Sequence, residues 1–373
     1  MLTSLIGIRL QLLIGATVPL PPPAEVMQSL QSARVINDSE SGDGFQLTFA
    51  LTKDPTGDFS LLSSGVLDAF TRVIIGVNLG LQLQVLIDGI ITNHELTPSD
   101  QPGQSTLTVT GKDVSVMMDL EERNLPFPNQ SDSTIVQQIV GAYSQYGLQC
   151  AATPTGDQPI ELQRTPRQAE TDLAAVKRLA RRNGYIFYVQ PTAPQVNLAF
   201  FGPDLRTGAP QPGLRIDMGQ ATNLRSLNFS LDAMAPELAV GSYLDPSSMT
   251  SVPIPSAPSL RTPPLAANPV TARRTRYLRD SANYDSPMAL GSSVAAVSNA
   301  PDAVTGTGEV DSIRYGSVLR ARGLVGVAGA GRTYDGFYYV RRVTHDLQPH
   351  GSYRQSFSIS REGTGALLPM VLP

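Results

Sequence analysis

The sequence predicts a mainly β fold that carries an α+β insert, and three observations support this class. A two-strand unit occurs twice, at 83–113 and at 336–363. In both copies the returning strand alternates apolar and polar residues, which is the period of a half-buried strand. Between 116 and 206 the apolar residues instead recur at spacings near 3.6, which is typical of amphipathic helices.

The repeated unit has one order of residues in both copies. A β-branched stretch leads into Thr, a histidine, an acidic residue and Leu, at 92–96 and at 344–347, and a turn with Pro and Gly follows. The motif puts His94 and His345 at equivalent positions, where a strand-end hydrogen bond or a barrel contact is favoured over catalysis. We interpret the pattern as an internal duplication of one antiparallel module.

Composition limits the classes of function. Only 16% of the 373 residues are Asp, Glu, Lys or Arg, against roughly 25% in ordinary soluble domains, and the net charge is −4. This balance argues against a protein that binds by neutralising nucleic-acid phosphates. The 32 Gly and 30 Pro fit a turn-rich β protein, or one that hides its surface in an assembly. The single cysteine, Cys150, excludes an intrachain disulfide and a zinc site made of several thiolates.

Before the first copy, residues 5–51 predict two strands separated by a proline run and a short helix near 25–30. The N-terminal apolar segment has no positive charge before it and is interrupted by polar residues, so a first strand is favoured over a secretion signal. The apolar stretch 73–91 contains Asn, Gln and Asp, which argues against a membrane span. We therefore expect synthesis in the bacterial cytoplasm and no membrane insertion.

The insert predicts two helices and a strand. The first helix covers 131–146 and ends at Gly147. The second starts at Thr165, which is followed by a proline suited to the first helical position, and ends at Gly184. An apolar strand at 185–189 follows directly. This region is therefore expected to form a small α+β subdomain within a β chain.

After the insert, strands are expected near 198–201 and 224–231, and a helix near 289–297. Seven prolines between 246 and 269 predict a long surface loop or mobile linker. The last fifty residues predict a run of strands that ends in the second copy. His350, between Pro and Gly, is predicted to lie in its turn.

Sequence motifs for catalysis and cofactor binding are weak or absent. His94 lacks a second histidine four residues later, so the zinc-helix motif fails. The Gly-rich segment 326–331 lacks the Gly-Lys-Ser/Thr of a nucleotide-binding loop. The basic clusters at 177–182 and 273–276 lack interleaved aromatic residues, so a solvated or ion-paired surface is favoured over nucleic-acid binding. We expect no catalytic residue, no metal ligand and no cofactor.

Several segments, taken in order, resemble one protein family. The family is the tail hub proteins of contractile phages and related injection systems, which includes the phage late control D proteins and the hub half of type VI VgrG spikes. The resemblance covers nearly the whole chain apart from the proline-rich stretch. Its specificity lies in the order and spacing of the segments, because each alone is a β-strand with turn residues. The segments are 10–15 with the proline run after it, 44–49, 85–89, 107–113, 343–345, 351–357 and Arg361.

The resemblance implies two related tube-like antiparallel β-barrels in each chain, plus a small helix-containing subdomain. It divides the sequence into a first barrel at 1–115, completed by about 207–235, and an α+β insert at 116–206. The second barrel covers 236–373 and carries the proline-rich loop 246–269. Family members assemble as homotrimers, so three chains with two barrels each would present six similar units to a hexameric tail tube.

The resemblance also implies a set of partners. We expect a non-enzymatic structural hub that contacts further copies of itself, the tail tube ring and a trimeric spike. Its expected place is a phage tail or the baseplate of a contractile injection particle. Because the sequence stops at Pro373, whereas VgrG-type chains continue into a spike, the spike is expected to be a separate chain. Contacts with baseplate wedge or tube-initiator proteins are compatible with this role.

Seven residues are expected to support folding and assembly, and two other functions stay open. One alternative is a tail-tip hydrolase of cell walls, which would need a cleft with a perturbed carboxylate or histidine. The other is a receptor- or sugar-binding β module, against which the absence of Trp weighs because exposed aromatic platforms are expected there. The seven residues are Gly89, His94, His345, Tyr353, Gln355, Phe357 and Arg361.

Overall fold

The computed structural model is mainly β, as the sequence predicts, with long antiparallel strands and a smaller helical part. The beginning of the predicted first strand, before Ile8, and the predicted turn at His350 lie outside the described residues. The structure describes residues 8–367 apart from 17, 54, 56, 80–81, 102, 158, 162–163, 246–247, 280, 282–283, 285 and 350–351.

Among the described residues, the first part of the chain forms six strands and two short helices. Strict alternation in the third strand buries Phe45, Leu47 and Phe49 against one core, while the residues between them stay half-buried. The fourth strand is buried on both faces over residues 72–77, which explains the continuous apolar run in its sequence. The elements are β1 (Arg9–Gly15), α1 (Ala24–Ser29), β2 (Leu30–Asp38), β3 (Gly44–Leu51), α2 (Ser60–Ser63), β4 (Arg72–Leu79), β5 (Gln82–Thr97) and β6 (Ser105–Asp113).

The α+β insert has a hydrophobic core of its own. Its first helix is capped by the side chain of Ser131. The second helix starts later than predicted, because residues 167–171 pair as a strand and Thr171, not Thr165, caps the helix. Gly184 ends this helix in the left-handed conformation, as predicted. The elements are β7 (Glu122–Pro126), α3 (Asp132–Gly141), β8 (Leu148–Ala152), β9 (Arg167–Thr171), α4 (Asp172–Asn183), β10 (Tyr185–Ala193) and β11 (Val196–Pro203).

The proline-rich stretch 246–269 is not the long loop that its composition predicts, since it contains two short strands. One is the edge of a three-stranded sheet, and the other pairs with the last strand of the described residues. Edge strands tolerate proline because one side of the backbone needs no hydrogen-bond donor. The elements here are β12 (Gln211–Arg215), β13 (Leu224–Leu231), β14 (Glu237–Asp245), β15 (Thr250–Ile254), β16 (Ala266–Pro269), β17 (Arg274–Leu278) and α5 (Ser286–Ser298).

The last part of the chain contains the second copy of the repeated unit, a hairpin of two long strands. Alternation along its returning strand buries Tyr353, Phe357 and Ile359, as predicted. The elements are β18 (Val304–Asp311), α6 (Ser312–Tyr315), β19 (Leu324–Ala328), β20 (Gly336–Leu347), β21 (Tyr353–Arg361) and β22 (Gly363–Ala366). Short 3-10 segments cover Val114–Met118, Ser144–Tyr146 and Gly219–Ala221.

The large twelve-stranded sheet consists of two sets of six strands with the same order. The first set is ordered β1-β4-β5-β6-β3-β2, and the second is ordered β12-β19-β20-β21-β18-β13. Numbered by place in the chain, both sets read 1-4-5-6-3-2. They differ in one pairing, because β1 is antiparallel to β4 whereas β12 is parallel to β19. The predicted duplication of a two-strand unit is therefore a duplication of six strands.

Irregularities of the backbone recur at matching places in the two sets, which supports the duplication independently. β2 and β13 each carry a bulge after their first residue, and β5 and β20 each carry one where their pairing with β4 or β19 ends. A non-glycine residue with a positive φ of 65° stands two positions before β4 and again before β19. The matching residues are Gln31 with Arg225, Thr92 with Arg341, and Phe70 with Arg322.

Residues 207–235 do not complete the first barrel, contrary to the prediction. β12 bonds to β19 and β13 bonds to β18, so both strands belong to the second set. The partners are far away in the sequence, on the other side of the segment that contains β14–β17 and α5. Neither composition nor periodicity indicates pairing over such a distance, and the division that the family resemblance implies assigned these residues to the wrong set.

The two histidines of the repeat do not occupy equivalent positions, contrary to the prediction from the sequence motif. When the two hairpins are aligned on their shared bulge, His94 matches Val343 and His345 matches Leu96. The histidines are therefore offset by two residues. The sequence motif aligns the two histidines directly. It does not indicate the bulge, because a bulge depends on the partner strand.

The two strand sets join in one continuous sheet, where β2 pairs with the C-terminal part of β20. Each set also surrounds its own hydrophobic core. The core of the first set includes Val318, Leu347 and Tyr353 from the second half of the chain. The halves thus share both backbone hydrogen bonds and buried apolar surface.

Candidate assembly interface

The junction between the two strand sets is an antiparallel pairing of Ala33–Asp38 with Arg342–Leu347. Four ion pairs surround it. Exposed pairs of this kind each contribute at most about 1 kcal/mol, whereas loss of one partner from a buried pair costs about 3–5 kcal/mol. The pairs are Arg34 with Asp346 at 2.5 Å, Arg342 with Asp38 at 2.5 Å, Arg322 with Asp43 at 2.6 Å, and Arg341 with Glu40.

Arg322 is the buried member of this group and connects three parts of the molecule. Burial alone would lower the pKa of its guanidinium, but the charge of Asp43 outweighs burial and holds the pKa above its usual value. The same guanidinium lies 4.4 Å from the ring centroid of Tyr188 in the insert. Arg322 thus ties the second strand set to the first set and to the α+β insert.

His345 is fully buried at the junction, opposite Val35 of β2. Its Nδ1 atom and the hydroxyl oxygen of Tyr353 are 2.8 Å apart and form a hydrogen bond. Burial, and then the nearby charge of Arg320, lower the pKa of His345 to about 3. The ring is therefore neutral at neutral pH and acts as a structural contact, unlike a catalytic base poised near pH 7.

The unfolding free energy is expected to fall as the pH drops below 6.5, because the unfolded chain then binds a proton at His345 that the folded chain does not. The folded pKa of about 3 lies below the ordinary value of 6.5, so the loss continues through this range. Its slope is roughly 1.4 kcal/mol per pH unit. Chemical denaturation at neutral pH and at about pH 5 should show a smaller loss in His345→Gln than in the parent.

Tyr353→Phe is the matched control for this measurement, since it removes the hydrogen-bond partner but keeps the buried histidine. It should retain the pH-dependent loss of the parent protein. Equal slopes in the parent and in His345→Gln would contradict a neutral, buried ring.

Gln355 and Phe357 lie on the buried face of β21. The Gln355 carboxamide accepts a hydrogen bond from the amide of Leu319 at 2.7 Å and donates to the carbonyl of Ser317 at 3.0 Å. It therefore fastens the segment after α6 to the sheet. The ring of Phe357 covers Gly308 of β18, where an added Cβ would approach the ring to 2.7 Å.

Arg361 is fully buried at the end of β21. It donates hydrogen bonds to the carbonyls of Asp335 and Thr333, at 3.0 and 2.8 Å, and its guanidinium lies 4.2 Å from the ring centroid of Tyr338. These contacts stabilise a buried charge with backbone dipoles and an aromatic face instead of a carboxylate. Arg361 therefore fixes the turn that precedes β20.

Gly89 and His94 lie on β5, away from these residues. A Cβ at Gly89 would be 2.5 Å from the carbonyl oxygen of Lys112, so the close approach of the two strands requires glycine. His94 is half-buried and stands opposite Val109. Of the seven expected residues, only the histidine and tyrosine at the junction have side chains in hydrogen-bond contact, so the seven do not form one site.

Two buried ion pairs, in addition to Arg322 with Asp43, are not predicted from the sequence. Arg72 and Asp88 pair at 2.7 Å on β4 and β5, and Asn197 of the insert donates to the same carboxylate at 2.9 Å. The available signal was Asp88 within an apolar run, because a buried acid needs a partner. Arg206 and Asp302 pair at 2.6 Å in loops, where charged residues give no signal of burial.

The two basic clusters of the sequence lie near a groove of about 1120 Å³ between α4 and α5. Arg178 pairs with Glu170 at 2.6 Å, and Arg182 pairs with Asp132. Part of the α4 cluster is thus an ion-paired surface, as predicted. Arg276 of the second cluster is exposed and lines the same groove.

Groups with catalytic or metal-binding potential are dispersed. Within the described residues, no three His, Cys, Asp or Glu side chains stand close enough to hold a metal ion. None of the helices among the described residues has the length and apolar character needed to cross a membrane. Burial and then the charge of Asp43 raise the pKa of Asp113, whose carboxylate accepts hydrogen bonds from the amides of Asp43 and Ser115. This acid caps a backbone turn inside the protein.

Comparison with solved structures finds similar folds over almost the full chain. A tail protein from Neisseria meningitidis MC58 has 12% identity and a TM-score of 0.63, covering 96% of this chain and 97% of its own. The 43 kDa tail protein of prophage MuSo2 from Shewanella oneidensis has 10% identity and a TM-score of 0.63, covering 95% and 98%. This is the fold of phage tail hub proteins.

The tail hub fold also occurs outside phages. An Escherichia coli component of the type VI secretion system, itself structurally similar to the bacteriophage T4 tail proteins gp27 and gp5, has 13% identity and a TM-score of 0.55. The match covers 92% of this chain and 77% of that one. No family model and no curated protein matches the sequence. At these identities the likeness establishes the tail hub fold alone.

Proposed function

We propose that this chain is the structural hub of a contractile tail or injection particle, where it forms a homotrimer with pseudo-sixfold symmetry and acts without enzymatic activity. The duplication carries the proposal, because two six-strand sets of identical order give a trimer six similar units. The tail hub fold, shared with phage tail proteins and a type VI secretion component, supports the same role.

Symmetry explains what such a hub does. A ring of six similar units matches a hexameric tail tube, while its three chains match a trimeric spike. The hub therefore joins the two without a mismatch at either contact. The low charge content of 16% suits a chain with large covered surfaces, since interface cores are depleted of charged residues.

Purified protein is expected to form trimers, and its projections in negative-stain images should be rings with six lobes around an opening. Mass photometry over a range of concentrations measures the oligomeric state, and class averages test the symmetry. Addition of the tube protein should increase the trimer fraction, because a partner that binds only the ring shifts the equilibrium towards it. A stable dimer or tetramer, or a monomer that persists with tube protein present, would contradict the homotrimer.

A further inference from the structure

We propose that the copies of this chain join edge to edge, with β13 of one copy paired antiparallel to the C-terminal part of β5 of the next. This inference rests on the proposed homotrimer and specifies its interface. The template is the junction already present inside the chain, where β2 pairs with the C-terminal part of β20. β2 and β13 are the second strands of their sets, and β5 and β20 are the fifth strands.

The equivalent strand edges are open in the single chain. Among the described residues, β13 pairs only with β18 and forms one end of the large sheet. β5 pairs with β4 only as far as Ile90, so its part from Thr92 to Thr97 has β6 on one side and no described strand on the other. In β20 the corresponding part is the one that pairs with β2. Long open edges of this kind are templates for pairing with another chain.

Exposed apolar side chains occur at both open edges. Three side chains that are buried at the junction inside the chain have counterparts that are large, apolar and exposed, on or directly beside the open edges. The proposed pairing would bring the apolar groups of the two edges together, and exposed apolar surface of this kind marks an interaction site. The counterparts are Leu96 (41% exposed) for His345, Leu231 (44%) for Asn37, and Phe70 (57%) for Arg322.

The two junctions would differ in chemistry. Of the ion pairs at the junction inside the chain, Arg34 with Asp346 becomes Asn228 with Thr97, and Arg342 with Asp38 becomes Asn93 with Asp232. The contact between chains therefore lacks these charge pairs and depends more on apolar burial. Such a difference favours the correct partner for each edge, because a charged edge that pairs with an apolar one leaves its charges unpaired.

The contact uses a different surface on each partner, so it is head-to-tail and closes into a ring when the rotation per chain allows it. Each chain contributes one internal junction and one junction to its neighbour. Three chains would then alternate three internal and three external junctions around the ring. The inference thus explains how two unequal junctions produce six similar units.

The register of the new pairing follows from the internal one. Ile36 pairs with Thr344 inside the chain, and the shared bulges map these residues onto Ser230 and Glu95. Ser230 and Glu95 are both exposed, so substitution should leave the fold of each chain intact. Directly opposite residues of antiparallel strands have Cβ atoms about 4.5–5.5 Å apart, close to the separation that a disulfide requires.

Disulfide capture tests the pairing in the full-length protein with Cys150→Ala as background. Under oxidising conditions, Ser230→Cys with Glu95→Cys should lose its monomer band on a non-reducing gel and gain dimer and trimer bands, which reductant removes. The control is Ser230→Cys with Thr97→Cys, which is displaced by two residues on the same strand face. Its cysteines would be about 7–8 Å apart and should crosslink far less.

The outcomes separate the interface from the homotrimer. Trimers in mass photometry without preferential crosslinking of the in-register pair would overturn the junction and leave the homotrimer standing. A protein that remains monomeric and uncrosslinked, with tube protein as well, would overturn both. In-register crosslinks that extend into open chains longer than three would support the junction and contradict closure as a trimer.

Discussion

Phe357→Ala is expected to lower the free energy of unfolding by about 3–5 kcal/mol and to abolish assembly. The Phe357 ring is 4% exposed and packs in the core of the second strand set, where it covers Gly308 of the neighbouring strand. Since the facing residue is a glycine, no side chain from that position can fill the space that the ring leaves. Denaturant titration followed by circular dichroism measures the loss, and mass photometry measures the assembly.

Phe70→Ala is the matched control, because it removes the same side chain from an exposed position. Phe70 is 57% exposed, so its loss should change the stability of the single chain by no more than about 0.5 kcal/mol. It should nevertheless weaken the trimer if neighbouring chains pair through β5 and β13. A Phe357→Ala protein with the denaturation midpoint and trimer yield of the parent would refute the position of this ring in the core.

The sequence predicted those parts of the fold that local periodicity determines. Alternation along β21 identified Tyr353, Phe357 and Ile359 as one buried face, and the structure buries all three. Gly184 ends a helix as expected, because the left-handed conformation is accessible to glycine at low cost. These features depend on residues within one or two turns of each other, so a pattern in the sequence is sufficient to find them.

Pairing between distant strands was beyond the reach of the sequence. The sequence predicts the strand at 224–231, but its partner β18 starts only at Val304. No pattern in the sequence indicates that these two strands pair. The offset between His94 and His345 has the same cause, since a bulge adds a residue to one strand only in relation to another. Proline-rich segments were misjudged because edge strands accept a residue that disrupts a central one.

The candidate interface also combines a feature that the sequence predicts with one that depends on pairing between distant strands. The sequence revealed that a module is repeated, but the equivalence of the two junctions became visible only when the order of six strands was known. Leu96 and Leu231 are ordinary strand residues in the sequence. They become informative because their counterparts in the other set are buried while they are exposed.

Buried charges were the least predictable feature, and Arg206 is the clearest case. It lies between two strands in a loop, where an arginine is normally solvated. In the structure its side chain is 1% exposed and donates two hydrogen bonds to Asp302, at 2.7 and 2.6 Å, and one to Glu362 at 2.8 Å. The cluster connects the end of the insert with the start of β18 and the end of β21.

Arg206→Met is expected to lower the free energy of unfolding at neutral pH by about 3–5 kcal/mol, because it leaves the buried Asp302 carboxylate without its main partner. Ser360 would still donate to that carboxylate at 2.6 Å, and Arg261 lies 3.5 Å away at the edge of the cluster. Neither replaces the two hydrogen bonds that the lost guanidinium donates to the Asp302 carboxylate. Denaturant titration of parent and variant at several pH values measures the difference.

The pH dependence distinguishes a lost ion pair from a simple packing defect. In the parent protein burial raises the pKa of Asp302. The charges of Arg206 and then Arg261 lower it, and their combined effect exceeds that of burial, so the pKa lies below the ordinary value of 3.8. The contribution of the pair is therefore complete above pH 3.8 and declines as the pH falls through the folded pKa. In Arg206→Met burial should dominate and raise this pKa, so the stability of the variant should decrease as the pH rises from 3.8 towards neutrality.

The gap between parent and Arg206→Met should consequently be smallest in acid and largest at neutral pH. Adding Asp302→Asn to Arg206→Met removes the uncompensated charge, so the double variant should recover part of the lost stability at neutral pH and lose the extra pH dependence. A gap that stays constant from acid to neutral pH, or a double variant less stable than Arg206→Met alone, would show that Arg206 acts through its volume and not through its charge.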